Sequence, residues 1–188
     1  MMRKPVIGVM GASANDVLSE EVTSQLKSLA EKLGATIAKQ QCILVTGATT
    51  GLPHLVAKAF RMNGGFALGI SPAENHREHL GRYRLPDDGA DVIIYSGFGY
   101  KGRNVINVRS SDIVLIVGGA TGTLNEFTIA YDEGKIIGVL EGSGGVADHM
   151  REILKFCDKP VGTIVFDKDP VNLVRQCVNA YAGSLGEV

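Results

Sequence analysis

Ile113-Val114-Leu115-Ile116-Val117-Gly118-Gly119-Ala120-Thr121-Gly122-Thr123-Leu124-Asn125-Glu126 is the stretch whose reading decides the fold. Its five branched apolar residues predict a strand buried on both faces, and a helical pattern leads out of the glycines. Glycines let a backbone approach an anion closely, and the free N–H groups at the start of a helix favour negative charge. The stretch therefore predicts a strand-to-helix phosphate loop and a phosphorylated ligand. Thr123 and Glu126 also have the Thr-x-x-Glu spacing of a capping box, so Glu126 is left with two tasks, capping and catalysis, that do not exclude one another.

Outward from this loop, six further apolar runs alternate with helical patterns: Val6–Met10, Cys42–Thr46, Phe66–Ile70, Val92–Tyr95, Ile136–Leu140 and Thr163–Phe166. Such alternation predicts an α/β, Rossmann-like, doubly wound parallel sheet with helices on both faces, in a single domain spanning 1–188. The first helix has Ser19 as N-cap, Glu20 and Glu21 in its first turn, Val22, Leu26, Leu29 and Leu33 on one face, and Gly34 past its end. A second starts at Leu52-Pro53 and stops at Gly64-Gly65, and a short one over 104–112 precedes the fifth strand. The last is capped by Asp169, with Leu173, Val174, Cys177, Val178 and Tyr181 as its buried stripe. Ser71 to Ala90 is polar and too long for an ordinary strand-to-helix connection, which predicts a mobile flap whose arginines either reach an anion or are simply solvated.

Composition narrows the function. A chain of 188 residues buries roughly 70% of its extended surface and needs no staple. Its net charge of −1, with both signs interspersed, lacks the basic stripe that a nucleic-acid polymer requires. The three widely spaced cysteines, Cys42, Cys157 and Cys177, read as reduced thiols in a cytoplasmic protein, and no signal peptide or membrane span is expected. His76 and His79 match no zinc spacing, so no metal site is expected, and His54 and His149 read as polar surface residues.

In an open parallel sheet, ligands bind outside the carboxyl ends of the strands. Four small-residue turns fall there: Gly11 to Asp16, Thr46 to Leu52, Ser96 to Arg103, and the loop at Gly118 to Glu126. From them come the candidate phosphate or nucleotide ligands Gly11, Ser13, Gly47, Thr49, Gly51, Gly118, Gly119, Thr121, Gly122 and Thr123, with Arg103 and Glu126 as candidate catalytic residues. Arg103 offers a fork of donors for a phosphate or carboxylate, whereas Arg109 reads as a surface ion pair. Neither a dinucleotide fingerprint in the first turn nor a Walker-type Gly-Lys-Ser/Thr is present.

Together these residues resemble the LOG (Lonely Guy) family among the LOG-like, or SLOG, Rossmann proteins, whose hallmark is Pro-Gly-Gly-x-Gly-Thr-x-x-Glu downstream of an Arg-Lys pair. Gly118 to Glu126 lies over the loop and Arg103 at the arginine; Gly118 replaces the Pro, Ala120 the second Gly and Asn104 the Lys. The resemblance implies hydrolysis of the N-glycosidic bond of a nucleoside 5′-monophosphate, with Gly119, Gly122 and Thr123 on the phosphate, Arg103 fixing the substrate, and Glu126 stabilising a cationic sugar. The run Arg103 to Asn107 with Ser110-Ser111 is also similar to the molybdenum-cofactor carrier proteins, which implies a non-catalytic carrier of a pterin phosphate; a nucleotide sensor is a further alternative. No cofactor is required on these readings, although a nucleotide or molybdenum cofactor could be bound. A lysine decarboxylase is not expected, because no lysine stands at a strand end with suitable partners, Lys101 coming nearest. By resemblance the chain forms a homodimer or larger homo-oligomer, with the helix carrying Arg103 or that after Leu124 near the interface, and no membrane partner is implied.

Overall fold

All seven apolar runs form strands, each within one residue of its expected limits, in a computed structural model that describes residues 3–13, 20–157 and 162–184. In chain order the elements are β1 (Val6–Gly11), α1 (Glu20–Lys39), β2 (Ile43–Thr46), α2 (Leu52–Met62), β3 (Ala67–Ser71), α3 (His76–Gly81), β4 (Val92–Tyr95), α4 (Gly99–Arg109), β5 (Ile113–Val117), α5 (Thr121–Asp132), β6 (Ile136–Leu140), a 3-10 turn (Gly145–His149), α6 (Met150–Leu154), β7 (Ile164–Asp167) and α7 (Pro170–Ser184). The strands make one parallel sheet in the order β4-β3-β2-β1-β5-β6-β7. The winding reverses between β1 and β5, and that reversal opens a crevice at the carboxyl ends of these two neighbours.

Successive strand residues point to opposite faces, so β5 feeds two cores. Ile113, Leu115 and Val117 join Leu33, Val56, Phe60 and Leu173 beneath α1, α2 and α7. Val114 and Ile116 join Phe127, Ala130, Ile137 and Met150 beneath α5 and α6. Every β5 side chain is fully buried, as expected for a central parallel strand. Asp169 caps α7 through Oδ1, which accepts from Asn172 N at 2.8 Å. No helix among the described residues is long and apolar enough to cross a membrane.

Three expectations about helices are corrected. α1 does not stop at Gly34 but continues to Lys39, because this glycine marks a close helix crossing and not a cap. A Cβ there would lie 2.6 Å from the Phe60 backbone N and 2.8 Å from Val56 O in α2. Gly34→Ala should therefore lose about 2 kcal/mol in urea denaturation, overpacking outweighing the ~1 kcal/mol gain in helix propensity; a stability equal to or above that of the parent chain would mean the crossing opens freely. α4 starts at Gly99, well before residue 104, which puts Arg103 inside a helix and not ahead of it. The connection after β3 is not structureless, since it contains α3, whose N-cap Asn75 accepts from Glu78 N at 3.0 Å. The expected first N-cap, Ser19, and the side chain of Val22 lie outside the described residues.

Candidate functional site

α5 begins at Thr121, so its N-cap is Ala120 and no side chain caps it. The capping-box reading of Thr123 and Glu126 is thereby set aside: both lie inside the helix, and both are buried. One helical turn beyond the loop, Glu126 faces α4. Arg103 Nη1 donates to Glu126 Oε1 at 2.9 Å, and the two side chains are only 9% and 8% exposed. Asn107 completes the group when its amide oxygen faces Arg103: Oδ1 accepts from Arg103 Nη1 at 2.7 Å while the amide nitrogen donates to Thr46 O at 3.2 Å. Burial pushes the Glu126 carboxyl above its ordinary value, against the opposing pull of the Arg103 charge. Arg103 Nε, also buried, has no acceptor among the described residues.

The loop itself is shaped by its own backbone and by a second loop beneath it. Gly118 and Gly119 adopt left-handed φ values of 61° and 87°. Ser143 Oγ accepts from Gly118 N at 2.8 Å, while Val146 N and Ala147 N donate to Gly119 O and Gly118 O at 2.9 and 3.2 Å. A Cβ on Gly119 would overlap the Thr123 hydroxyl. Gly47 has a comparable reason to be glycine, because a Cβ there would overlap the Arg103 guanidinium.

These features surround a cleft of about 640 Å³ at the carboxyl ends of β1, β2 and β5. Of the expected site residues, Gly11, Ser13, Thr49, Arg103, Gly119, Gly122, Thr123 and Glu126 line it. Gly47, Gly51, Gly118 and Thr121 do not: Gly47 lies under Arg103, Gly51 precedes α2 with φ 81°, Gly118 has its N–H taken by Ser143, and Thr121 is exposed on the first turn of α5. Asn104, at the position of the family's lysine, also lines the cleft and donates through Nδ2 to Asn125 Oδ1 at 2.8 Å.

The far wall of the cleft is formed by Tyr83, Arg84 and Leu85 with Tyr100 and Lys101 of α4, the latter two from the turn at Ser96 to Arg103 expected at this end of the sheet. Its first three residues are the end of the expected flap, where Arg84 is the arginine that reaches the cleft, and they follow a buried histidine. His79 is fully buried, with Nδ1 2.8 Å from Ser71 Oγ and Nε2 3.0 Å from Pro86 O. A carbonyl only accepts, so Nε2 carries the proton and donates to Pro86 O, and Nδ1 accepts a hydrogen bond from the Ser71 hydroxyl. The signal for α3 was the helical spacing of His79 and Asn75 within a polar run, which composition alone disguised. Farther along, Lys58 and His54 of α2 pair with Asp88 at 2.6 and 3.2 Å, so His54 is an anchor and not the surface residue expected.

The other candidates fall outside the cleft. Arg109 makes the expected surface pair with Glu133 at 2.7 Å, and His149 is exposed. Burial pushes the thiols of Cys42 and Cys177 up to about 11 and about 12, which leaves them unreactive near neutrality. Among the described residues no group of His, Cys, Asp or Glu side chains could hold a metal ion.

Comparison with known proteins agrees with this geometry. An uncharacterised protein of Archaeoglobus fulgidus is 33% identical over 140 residues, 74% of this chain and 82% of that protein. The crystal structure of TM1055 superposes with a TM-score of 0.80 at 26% identity, covering 93% of this chain and 98% of its own. The molybdenum cofactor carrier protein of Chlamydomonas reinhardtii gives a TM-score of 0.74 at 27% identity, with 96% and 99% covered. The SLOG cluster4 family profile matches residues 4–174, nearly the full length of the sheet and its helices, and this chain belongs to that family.

Proposed function

We propose that this chain is a binding protein for a phosphorylated small molecule, and that it carries its ligand without cleaving it. The observation behind the carrier reading is the state of Glu126, whose charge is neutralised at 2.9 Å by Arg103. A carboxylate already paired in a buried site projects little net field onto a developing sugar cation, which is the interaction that glycosidic cleavage needs most. Asn104, bonded to Asn125, supplies no second cation where the hydrolase pattern has lysine. The phosphate would lie against Gly119, Gly122 and Thr123 at the uncapped start of α5, where donors and dipole favour an anion. A pterin phosphate is the cargo that best matches the similarity to the Chlamydomonas carrier.

Nucleoside monophosphate hydrolysis is the second reading, and one feature favours it: Glu126 lines the cleft and takes its Arg103 bond on Oε1, so Oε2 is the oxygen left for a ribose. Mass spectrometry of small molecules that copurify with the protein, together with a panel of purine and pyrimidine monophosphates, separates the two. A copurified pterin phosphate and no release of free base is expected. Base release at enzymatic rates would overturn the carrier reading in favour of the hydrolase.

A further inference from the structure

We propose that the far wall of the cleft is a second anion-recognition subsite, centred on Arg84 and Lys101, and that the ligand therefore carries two separated anionic groups. This rests on the reading above, in which the first group is a phosphate at the α5 loop.

Charge is the first observation. Among the described residues lining the cleft, Arg84, Lys101 and Arg103 are cationic and Glu126 alone is anionic. Glu126 is already paired with Arg103 at 2.9 Å, and of the two far-wall cations only Lys101 also feels its charge. Neither makes a hydrogen bond or ion pair among the described residues, whereas the arginines at 3, 61, 82, 103, 109 and 151 find carboxylates and those at 77 and 175, like Arg84, do not. The far wall thus keeps positive charge of its own, on the side of the cleft away from the α5 loop, and is complementary to an anionic group there.

Backbone conformation is the second observation. Arg84 sits at φ 51°, a left-handed conformation that L side chains rarely adopt and that glycine would take without strain. The turn is held there by bonds on both sides: Tyr83 N to Glu78 O at 3.1 Å, Leu85 N to His79 O at 3.0 Å, and the buried His79 ring to Pro86 O. Strain of this kind persists only when its surroundings overdetermine it, and it concentrates at ligand sites. Here it presents a guanidinium to the cleft. Tyr83 and Tyr100, in edge-to-face contact with centroids 5.4 Å apart, flank the cations on the same wall and limit where a ligand can pass between the two subsites.

The test uses alkane-1,ω-diol bisphosphates of graded length against the matching alkyl monophosphates, titrated calorimetrically into the full chain at fixed ionic strength. At one or more lengths the bisphosphate should bind about tenfold tighter or more than its monophosphate partner, as expected for an added charge-assisted contact. That ratio should fall to near unity in Arg84→Gly with Lys101→Met and largely survive in Arg84→Lys. Arg84→Gly relieves the left-handed strain, so its thermal midpoint should equal or exceed that of the parent, which separates lost recognition from lost folding. Monophosphate binding without a gain at any length, or a gain that survives the double substitution, overturns the second subsite. No binding of either probe series overturns the phosphate-site reading as well.

Discussion

Arg103→Met alone should remove about 3–5 kcal/mol of stability, and Arg103→Met combined with Glu126→Leu should recover most of it. Arg103 and Glu126 sit in a site 7% and 6% exposed, so deleting either leaves the other charge buried without compensation. Removing both replaces a desolvated pair by packed apolar groups, which buried pairs usually tolerate well. Against a total stability on the order of 5–15 kcal/mol, the single substitution should be visible as a large shift in urea midpoint. A single-mutant loss below ~1 kcal/mol would show that water reaches the pair.

The same carboxyl has a pH signature. Burial holds the folded pKa of Glu126 above its ordinary 4.5, so the folded state keeps the proton to a higher pH than the unfolded chain does. Its contribution to stability is then full below pH 4.5 and is lost as pH rises through the folded pKa. Glu126→Gln, whose amide oxygen still accepts from Arg103, should abolish that part of the pH dependence. An unchanged slope between parent and variant would assign it to other groups.

Gly119→Ala should lower the affinity for a phosphate monoester by about a hundredfold or more, an effect on the order of 3 kcal/mol. Two causes coincide at this position. The backbone is at φ 87°, where an L residue is strained by on the order of 1–3 kcal/mol, and the new Cβ would overlap the Thr123 hydroxyl. Relief of either requires the loop to leave the conformation held by the turn at Ser143 to Ala147. Gly183→Ala, in α7 and outside the cleft, is the folding control, since a Cβ there meets nothing within 4 Å and helix propensity favours alanine. Equal affinity for methyl phosphate in the parent chain and Gly119→Ala would sink the phosphate-loop assignment.

Much of this architecture was legible from local chemistry. Ile113 to Val117, with no polar residue to expose, can only be a buried strand, and the same logic placed the other six strands within a residue. The glycines at 118 and 119 announced backbone freedom and supplied it, as their positive φ values show. Asp169 followed by Pro170 started α7 where turn chemistry required. Each of these signals lies within a few residues of its effect.

Tertiary structure alone decided the rest, because the deciding contacts join residues far apart in sequence. Gly34 reads as a helix stop until α2 arrives beside it and makes close approach its purpose. Thr123 and Glu126 fit a capping box by spacing, yet α5 has its N-cap at Ala120, three residues before Thr123, and turns Glu126 toward an arginine 23 positions away. The segment from Ser71 to Ala90 has the polarity of a solvated loop. The buried His79, bonded to Ser71 on one side and Pro86 on the other, folds that segment into a wall of the cleft. Periodicity and turn preference act over one or two turns of chain, whereas partners for a buried charge or a buried imidazole are chosen by whichever elements the sheet order brings together.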